Sequence, residues 1–136
     1  MKTYITFILL LLSVESHCQE FNNYTEKTLD LNIEMIAVKG GSFIMGGSDD
    51  KESGELRHKV TLSDFYIGKF EVTQDQWEKI MKSNPALNND CKDCPIINVS
   101  FADVQEFIKK LNMVTKKKYS LPTEAQWEFA ARGGTQ

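Results

Sequence analysis

The chain has 136 residues, which is room for one small domain. Apolar residues make up 41% of it and aromatic residues 10%, as expected for a chain that folds around a core. A formal net charge of −3 provides no basic footprint, so composition argues against a protein that binds nucleic acid or an anionic membrane surface.

The first 18 residues have the pattern of a secretory signal peptide. A positive start precedes an apolar run at 5–12 that is too short to span a bilayer, and Ser16 and Cys18 are small residues placed for cleavage before Gln19. The pattern predicts export to the periplasm or the medium, with no transmembrane helix after cleavage. Two alternatives stay open: a lipid anchor on Cys18, and an uncleaved buried strand.

The mature chain is predicted to begin with a mobile polar leader at residues 19–33, because that segment shows little apolar periodicity. A domain then covers residues 34–136. Short apolar runs at 34–38 and 42–45 flank a Gly-Gly pair, which predicts a tight β-hairpin. The acidic loop at 46–54 does not have the spacing of a calcium-binding loop and is interpreted as a solvated loop.

Two further segments alternate in the manner of strands, at 58–62 and 65–73. Three capped amphipathic helices are predicted beyond them. Each has a capping residue with its partner three positions later: Thr73 with Gln76, Ser100 with Asp103, and Thr123 with Gln126. The predicted buried faces are Trp77, Ile80 and Met81 in the first helix, Val104, Phe107, Ile108 and Leu111 in the second, and Trp127, Ala130 and Ala131 in the third.

Cys91 and Cys94 lie in a polar loop before a proline. In an exported protein this spacing favours a local disulfide. A zinc half-site, a redox pair and free thiols are the alternatives, although the mature chain offers few further metal ligands and the following proline does not suit a redox motif at a helix start.

The third helix lies in a segment that resembles the central signature of the formylglycine-generating enzyme family, also called the sulfatase-modifying factor family. The segment reads Leu121-Pro122-Thr123-Glu124-Ala125-Gln126-Trp127-Glu128-Phe129-Ala130-Ala131-Arg132-Gly133-Gly134. Three earlier segments resemble other motifs of the family in the same order. They are Gly40-Gly41-Ser42-Phe43 followed by Met45-Gly46, then Glu71-Val72-Thr73, and then Pro95-Ile96-Ile97-Asn98-Val99-Ser100-Phe101-Ala102-Asp103.

The resemblance implies an α+β domain with the formylglycine-generating-enzyme-like variant of the C-type-lectin-like fold. Catalytic members oxidise a sulfatase cysteine to formylglycine with O₂, using a copper-binding cysteine pair and structural Ca²⁺. Those cysteines follow the central signature in the family, so Cys91 and Cys94 do not correspond to them, and no catalytic, cofactor or metal residue carries over. The residues that carry over are structural: Gly40, Gly41, Phe43, Glu71, Val72, Thr73, Ser100, Asp103, Leu121, Pro122, Glu124, Trp127, Glu128 and Arg132.

The central signature lies near the middle of the family's domain. The sequence therefore predicts the N-terminal part of a truncated domain that is inactive alone and contains neither copper nor calcium. The alternative is a non-catalytic structural or binding member, such as a gliding-motility-type lipoprotein. A protein or peptide partner fits either interpretation, and it would resemble a sulfatase if the whole domain is catalytic.

Overall fold

The computed structural model describes residues 20–47, 57–86 and 91–133. The predicted signal peptide at 1–18, the possible lipid anchor at Cys18 and most of the acidic loop lie outside these ranges. The described residues form five short strands and three α-helices, which confirms the mixed α+β class. The strands are β1 (Tyr24–Glu26), β2 (Ile33–Val38), β3 (Gly41–Met45), β4 (His58–Leu62) and β5 (Phe65–Gly68), and the helices are α1 (Gln74–Met81), α2 (Phe101–Thr115) and α3 (Glu124–Ala131).

The strands form two antiparallel sheets. One has the order β1-β2-β5, and the other pairs β3 with β4. The predicted hairpin between residues 34–38 and 42–45 is therefore wrong in its pairing, although both runs are strands. After β2 the chain crosses into the second sheet, and after β4 it crosses back into the first.

Gly40 lies at the first crossing, where the two connections come close together. A Cβ on Gly40 would be 2.2 Å from the carbonyl oxygen of Leu62. The Asp64 carboxylate in the second connection accepts a hydrogen bond from the Gly40 amide at 2.9 Å and pairs with Lys39 at 2.7 Å. Glycine is thus required here because two backbone segments touch, rather than because a tight hairpin turn needs it.

The segment predicted to be a mobile leader is instead part of the fold. Tyr24, Thr25 and Glu26 pair with Met35, Glu34 and Ile33 of β2. A turn of 3₁₀ helix, Thr28–Asp30, then leads to Leu31, whose exposed fraction is only 1%. The expectation failed because β1 obtains its order from hydrogen bonds to β2 and carries no apolar pattern of its own.

The main core lies between α1 and α2 and includes Leu31. The indole of Trp77 stacks on the ring of Phe107 at a centroid distance of 5.0 Å, and Ile80 and Leu111 complete the buried cluster. The predicted apolar faces of α1 and α2 are therefore confirmed.

The predicted face of α3 is wrong. Phe129 is buried and packs edge-on against Phe43 of β3 with ring centroids 5.2 Å apart, while the Trp127 side chain is 62% exposed. Residues two apart point to nearly opposite sides of a helix, so only one of these aromatic side chains can face the β3-β4 sheet.

Candidate functional site

All three predicted helix starts are confirmed in atomic detail. The side chains of Thr73, Ser100 and Thr123 each accept a hydrogen bond from the backbone amide three residues later, and the side chain at that later position accepts one from the backbone amide of the capping residue. These are reciprocal capping boxes, so this part of the family pattern specifies where helices begin.

Two other signature side chains join the first and last motifs of the pattern. Glu128 accepts a hydrogen bond from the Gly46 amide at 3.0 Å, and Arg132 donates one to the Gly46 carbonyl at 2.9 Å. Glu128 and Arg132 also form an ion pair with each other. They fix the end of β3 against α3, at the place where Phe43 and Phe129 meet.

The remaining signature residues serve different purposes. No neighbouring atom lies close enough to Gly41 to exclude a side chain, because a Cβ there would be 3.6 Å from the Phe129 ring, an ordinary van der Waals distance. Val72 packs on the main core, whereas Leu121 is exposed. Glu124 lies in the first turn of α3, where a negative charge suits the helix dipole.

Cys91 and Cys94 form a disulfide, which confirms the favoured interpretation of this pair. We call residues 91–95 the disulfide loop. Its carbonyl groups at Cys94 and Lys92 accept hydrogen bonds from the first two amides of α1, Gln74 and Asp75, at 2.9 and 3.0 Å. The start of an α-helix has amides without partners inside the helix, so the disulfide loop satisfies two of them.

A cavity of about 560 Å³ lies beside the disulfide loop. It contains four acidic side chains and no basic one among its described lining residues. Those residues are Leu31, Asn32, Glu34, Phe70, Glu71, Thr73, Asp75, Gln76, Asp93 and Pro95. Signature residues Glu71 and Thr73 thus border a concave acidic surface, which we call the acidic cavity.

A cluster that the sequence reasoning missed joins β1 to the segment after α2. The buried carboxylate of Glu26 pairs with Lys117 at 2.9 Å and accepts hydrogen bonds from the Thr28 hydroxyl at 2.6 Å and the Thr28 amide at 2.9 Å. The Tyr119 hydroxyl donates a further bond to Glu26 at 3.0 Å and lies 3.3 Å from the Tyr24 hydroxyl.

These contacts set the protonation of the cluster. Burial by itself raises the pKa of Glu26, but the hydrogen bonds from Lys117, Thr28 and Tyr119 outweigh it and lower the pKa to about 2. The bond to Glu26 raises the pKa of Lys117, and burial raises that of Tyr119. Glu26 and Lys117 are therefore charged, and Tyr119 neutral, at physiological pH.

The described residues do not fit the copper or calcium sites that the resemblance associates with catalytic members. Both cysteines are bonded to each other, and their loop is used to hold α1. No three His, Cys, Asp or Glu side chains in the described ranges lie close enough to hold a metal ion. No catalytic step through a metal can be assigned to these residues.

The two small sheets, the capped helices and the joined motifs define a domain of the formylglycine-generating-enzyme type. The model of the Sulfatase-modifying factor enzyme 1-like domain matches residues 20–136, so the chain belongs to that family. This confirms the resemblance carried by the four motifs. The match begins at residue 20, in agreement with the structural role of β1.

Relatives and solved structures agree with this assignment. The chain is 29% identical over 168 aligned residues to the Chaperone protein LppX of Paenibacillus barcinonensis, covering 98% of this chain and 56% of the relative. It superposes on Treponema denticola variable protein 1 with a TM-score of 0.76 and 24% identity, covering 84% of this chain and 58% of that one. For PvdO from Pseudomonas aeruginosa the TM-score is 0.68 and the identity 25%, with coverages of 85% and 53%.

The chain thus spans between half and three fifths of the length of these proteins. No helix within the described ranges is long and apolar enough to cross a membrane.

Proposed function

We propose that the chain is the N-terminal part of an exported sulfatase-modifying-factor-like domain and does not form formylglycine by itself. The supporting observation is the structural role of Cys91 and Cys94. Cys91 and Cys94 are bonded to each other and their loop holds the start of α1, which is a structural task. In this proposal the relatives' additional length corresponds to the part of the domain that completes it.

The test is an oxidation assay on the purified chain from Gln19 onward. The protein is incubated with copper, O₂ and a peptide that contains Cys-x-Pro-x-Arg, and mass spectrometry looks for the aldehyde product. A complete copper-loaded enzyme of the family is the positive control. We expect no aldehyde from this chain, and copper-dependent turnover would refute the proposal.

A second test concerns the extent of the domain. Sequencing the DNA past codon 136 should reveal the rest of the family pattern, including the motifs that follow the central signature. Absence of such coding in every frame would contradict the proposal that this is part of a longer domain. If a longer protein is found, a second cysteine pair in it would indicate oxidase activity in the whole domain.

Export is the remaining part of the proposed function. It is supported by the pattern of residues 1–18 and by the disulfide, since disulfides persist in oxidising compartments. Mass spectrometry of protein recovered outside the cytoplasm should show Gln19 at its amino terminus. Detection of a lipid-modified Cys18 would show that the exported protein is anchored to a membrane rather than released. Retention of the protein in the cytoplasm would contradict export.

A binding role is the second candidate function. One relative bears the name of a chaperone, and the described surface exposes the large apolar side chains of Phe70, Phe101 and Trp127 by 62–71%. Large exposed apolar side chains are the kind of surface feature that contacts polypeptide partners. The chain should then slow the aggregation of a heat-denatured client protein, and a Phe101→Ser, Trp127→Ser double variant should do so less. Equal activity of the two proteins would contradict binding through these side chains.

A further inference from the structure

A second cavity, of about 300 Å³, lies between the β1-β2-β5 sheet and the connection from α2 to α3. Its described lining combines aromatic rings with hydrogen-bonding and basic groups. The lining residues are Tyr24, Met35, Phe65, Tyr66, Ile67, Gly68, Lys117, Lys118, Tyr119, Ser120, Pro122 and Gln126. We call it the tyrosine-lysine cavity.

The charge of this cavity is opposite to that of the acidic cavity. Its described lining has two lysines and no acidic residue, although the chain as a whole has a net charge of −3. The carboxylate of Glu26, which is not among these lining residues, pairs with Lys117 and neutralises it in the cluster described above. Lys118 forms no ion pair with another described residue, so its ammonium group supplies the net positive charge.

Aromatic rings form much of the wall. The rings of Tyr24 and Tyr66 meet edge to face with centroids 5.0 Å apart, and Phe65 and Tyr119 line the cavity with them. Edges and faces of this kind contact flat apolar groups well. The Glu26 cluster fixes Tyr24 and Tyr119 in place through their hydroxyl groups, so this part of the wall is preformed.

Neutral polar residues line the same space. The Gln126 carbonyl oxygen accepts the Thr123 amide in the helix cap, so its amide nitrogen is the group that can donate to a ligand. Ser120 adds a hydroxyl. Aromatic walls with a few polar donors and one uncompensated positive charge are a usual composition for a small-ligand site.

From this arrangement we propose that the tyrosine-lysine cavity binds a carboxylate attached to an aromatic ring, with the ring between the aromatic side chains and the carboxylate at Lys118. A free aromatic acid and a polypeptide end with a C-terminal aromatic residue share this chemistry. The inference concerns binding alone and does not depend on the proposed lack of oxidase activity.

The test is an amide NMR titration of the chain from Gln19 onward with small probes. N-acetylphenylalanine carries both ring and charge, N-acetylphenylalaninamide only the ring, and acetate only the charge. We expect N-acetylphenylalanine to shift the amides of Tyr24, Gly68 and Ser120 at the lowest concentration. A tripeptide acid ending in phenylalanine then distinguishes the two sources: tighter binding than the single amino acid indicates a polypeptide end, and equal or weaker binding a free acid.

Two lysine substitutions test whether Lys118 supplies the positive charge that binds the carboxylate. Lys118→Gln should weaken the binding of N-acetylphenylalanine about two- to fivefold at low salt, as expected for one exposed charge. Lys59→Gln removes an equal charge from β4 in the other sheet and should leave the affinity unchanged.

Several results would overturn the inference. They are no shift with any probe, equal binding of the neutral amide, equal binding of acetate, and equal loss of affinity in the Lys118 and Lys59 variants. Amide shifts confined to residues that do not line the tyrosine-lysine cavity would overturn it as well.

Discussion

Glu26→Gln should destabilise the fold, because the carboxylate of Glu26 holds the first strand against the segment that follows α2. Its partners Lys117 and Tyr119 are more than 90 positions away in the sequence. Glutamine keeps the size of the side chain but loses the charge that pairs with Lys117. Its NH2 group also replaces one carboxylate oxygen, so it faces either the donors of Thr28 or those of Lys117 and Tyr119.

The magnitude follows from the pKa of Glu26, which falls from an ordinary value of 4.5 to about 2 in the folded protein. Each pKa unit corresponds to about 1.4 kcal/mol, so the folded state favours the ionised form by about 3 kcal/mol. The Lys117 side chain is 47% exposed, and solvent screening weakens its contribution. We therefore expect Glu26→Gln to lower the free energy of unfolding by about 2 kcal/mol at neutral pH.

The pH dependence has a definite direction. A carboxylate whose pKa is depressed in the folded state stabilises the protein fully when the pH is above the pKa that the group has in the unfolded chain. This stabilisation is lost as the pH falls through the pKa that the group has in the folded protein. The difference between wild type and Glu26→Gln should thus be constant above about pH 4.5 and shrink toward zero near pH 2.

Urea denaturation followed by tryptophan fluorescence measures the effect, since Trp77 is buried in the main core. Unfolding curves are recorded for both proteins from neutral pH down to about pH 2. Glu34→Gln is the matched control: its ion pair with Lys69 has the same kind of geometry, at 2.7 Å, but is exposed and should contribute at most about 1 kcal/mol. A wild-type advantage that does not change with pH, or an equal effect in the control, would refute the argument.

Three further predictions concern the crossover, α3 and the disulfide loop. Gly40→Ala should lower the free energy of unfolding by about 1–3 kcal/mol because its methyl group would overlap the backbone carbonyl at the end of β4, whereas Gly41→Ala should have a smaller effect; equal thermal midpoints for the two variants would contradict this. Phe129→Ala should cost about 3–5 kcal/mol and Trp127→Ala less than about 1 kcal/mol in urea denaturation, and the reverse order would show that Trp127 is the buried side chain. Thiol titration of denatured exported protein should find neither cysteine of the disulfide loop reactive, and two titratable thiols would contradict the disulfide. Reduction of the disulfide should lower the free energy of unfolding by an amount near the low end of the range of about 0–5 kcal/mol.

The sequence by itself determined the features that depend on neighbours along the chain. The three helix starts at Thr73, Ser100 and Thr123 were predicted because a capping box needs only four consecutive positions. The disulfide between cysteines three positions apart was favoured because the N-terminal pattern predicts export to an oxidising compartment. The periodicity of α1 and α2 likewise identified their buried faces, since each helix has a single apolar stripe.

The family pattern identified signature residues without giving their contacts. Gly40 was expected to permit a turn, yet it allows two connections to touch. Glu128 and Arg132 were recognised only as part of a motif, and the tertiary structure showed that they hold Gly46, more than 80 positions earlier. A motif lists residue types, while their partners come from distant segments.

Only the tertiary structure decided which strands pair, whether residues 24–26 form a strand, and which aromatic side chain of α3 is buried. Strand pairing and the order of β1 depend on backbone hydrogen bonds to other segments, which the side-chain sequence of one segment does not encode. Helix α3 has aromatic residues on two faces, and the position of Phe43 on β3 selects Phe129. The Glu26 cluster is of the same kind, because a charged side chain becomes buried only where distant residues supply its hydrogen bonds.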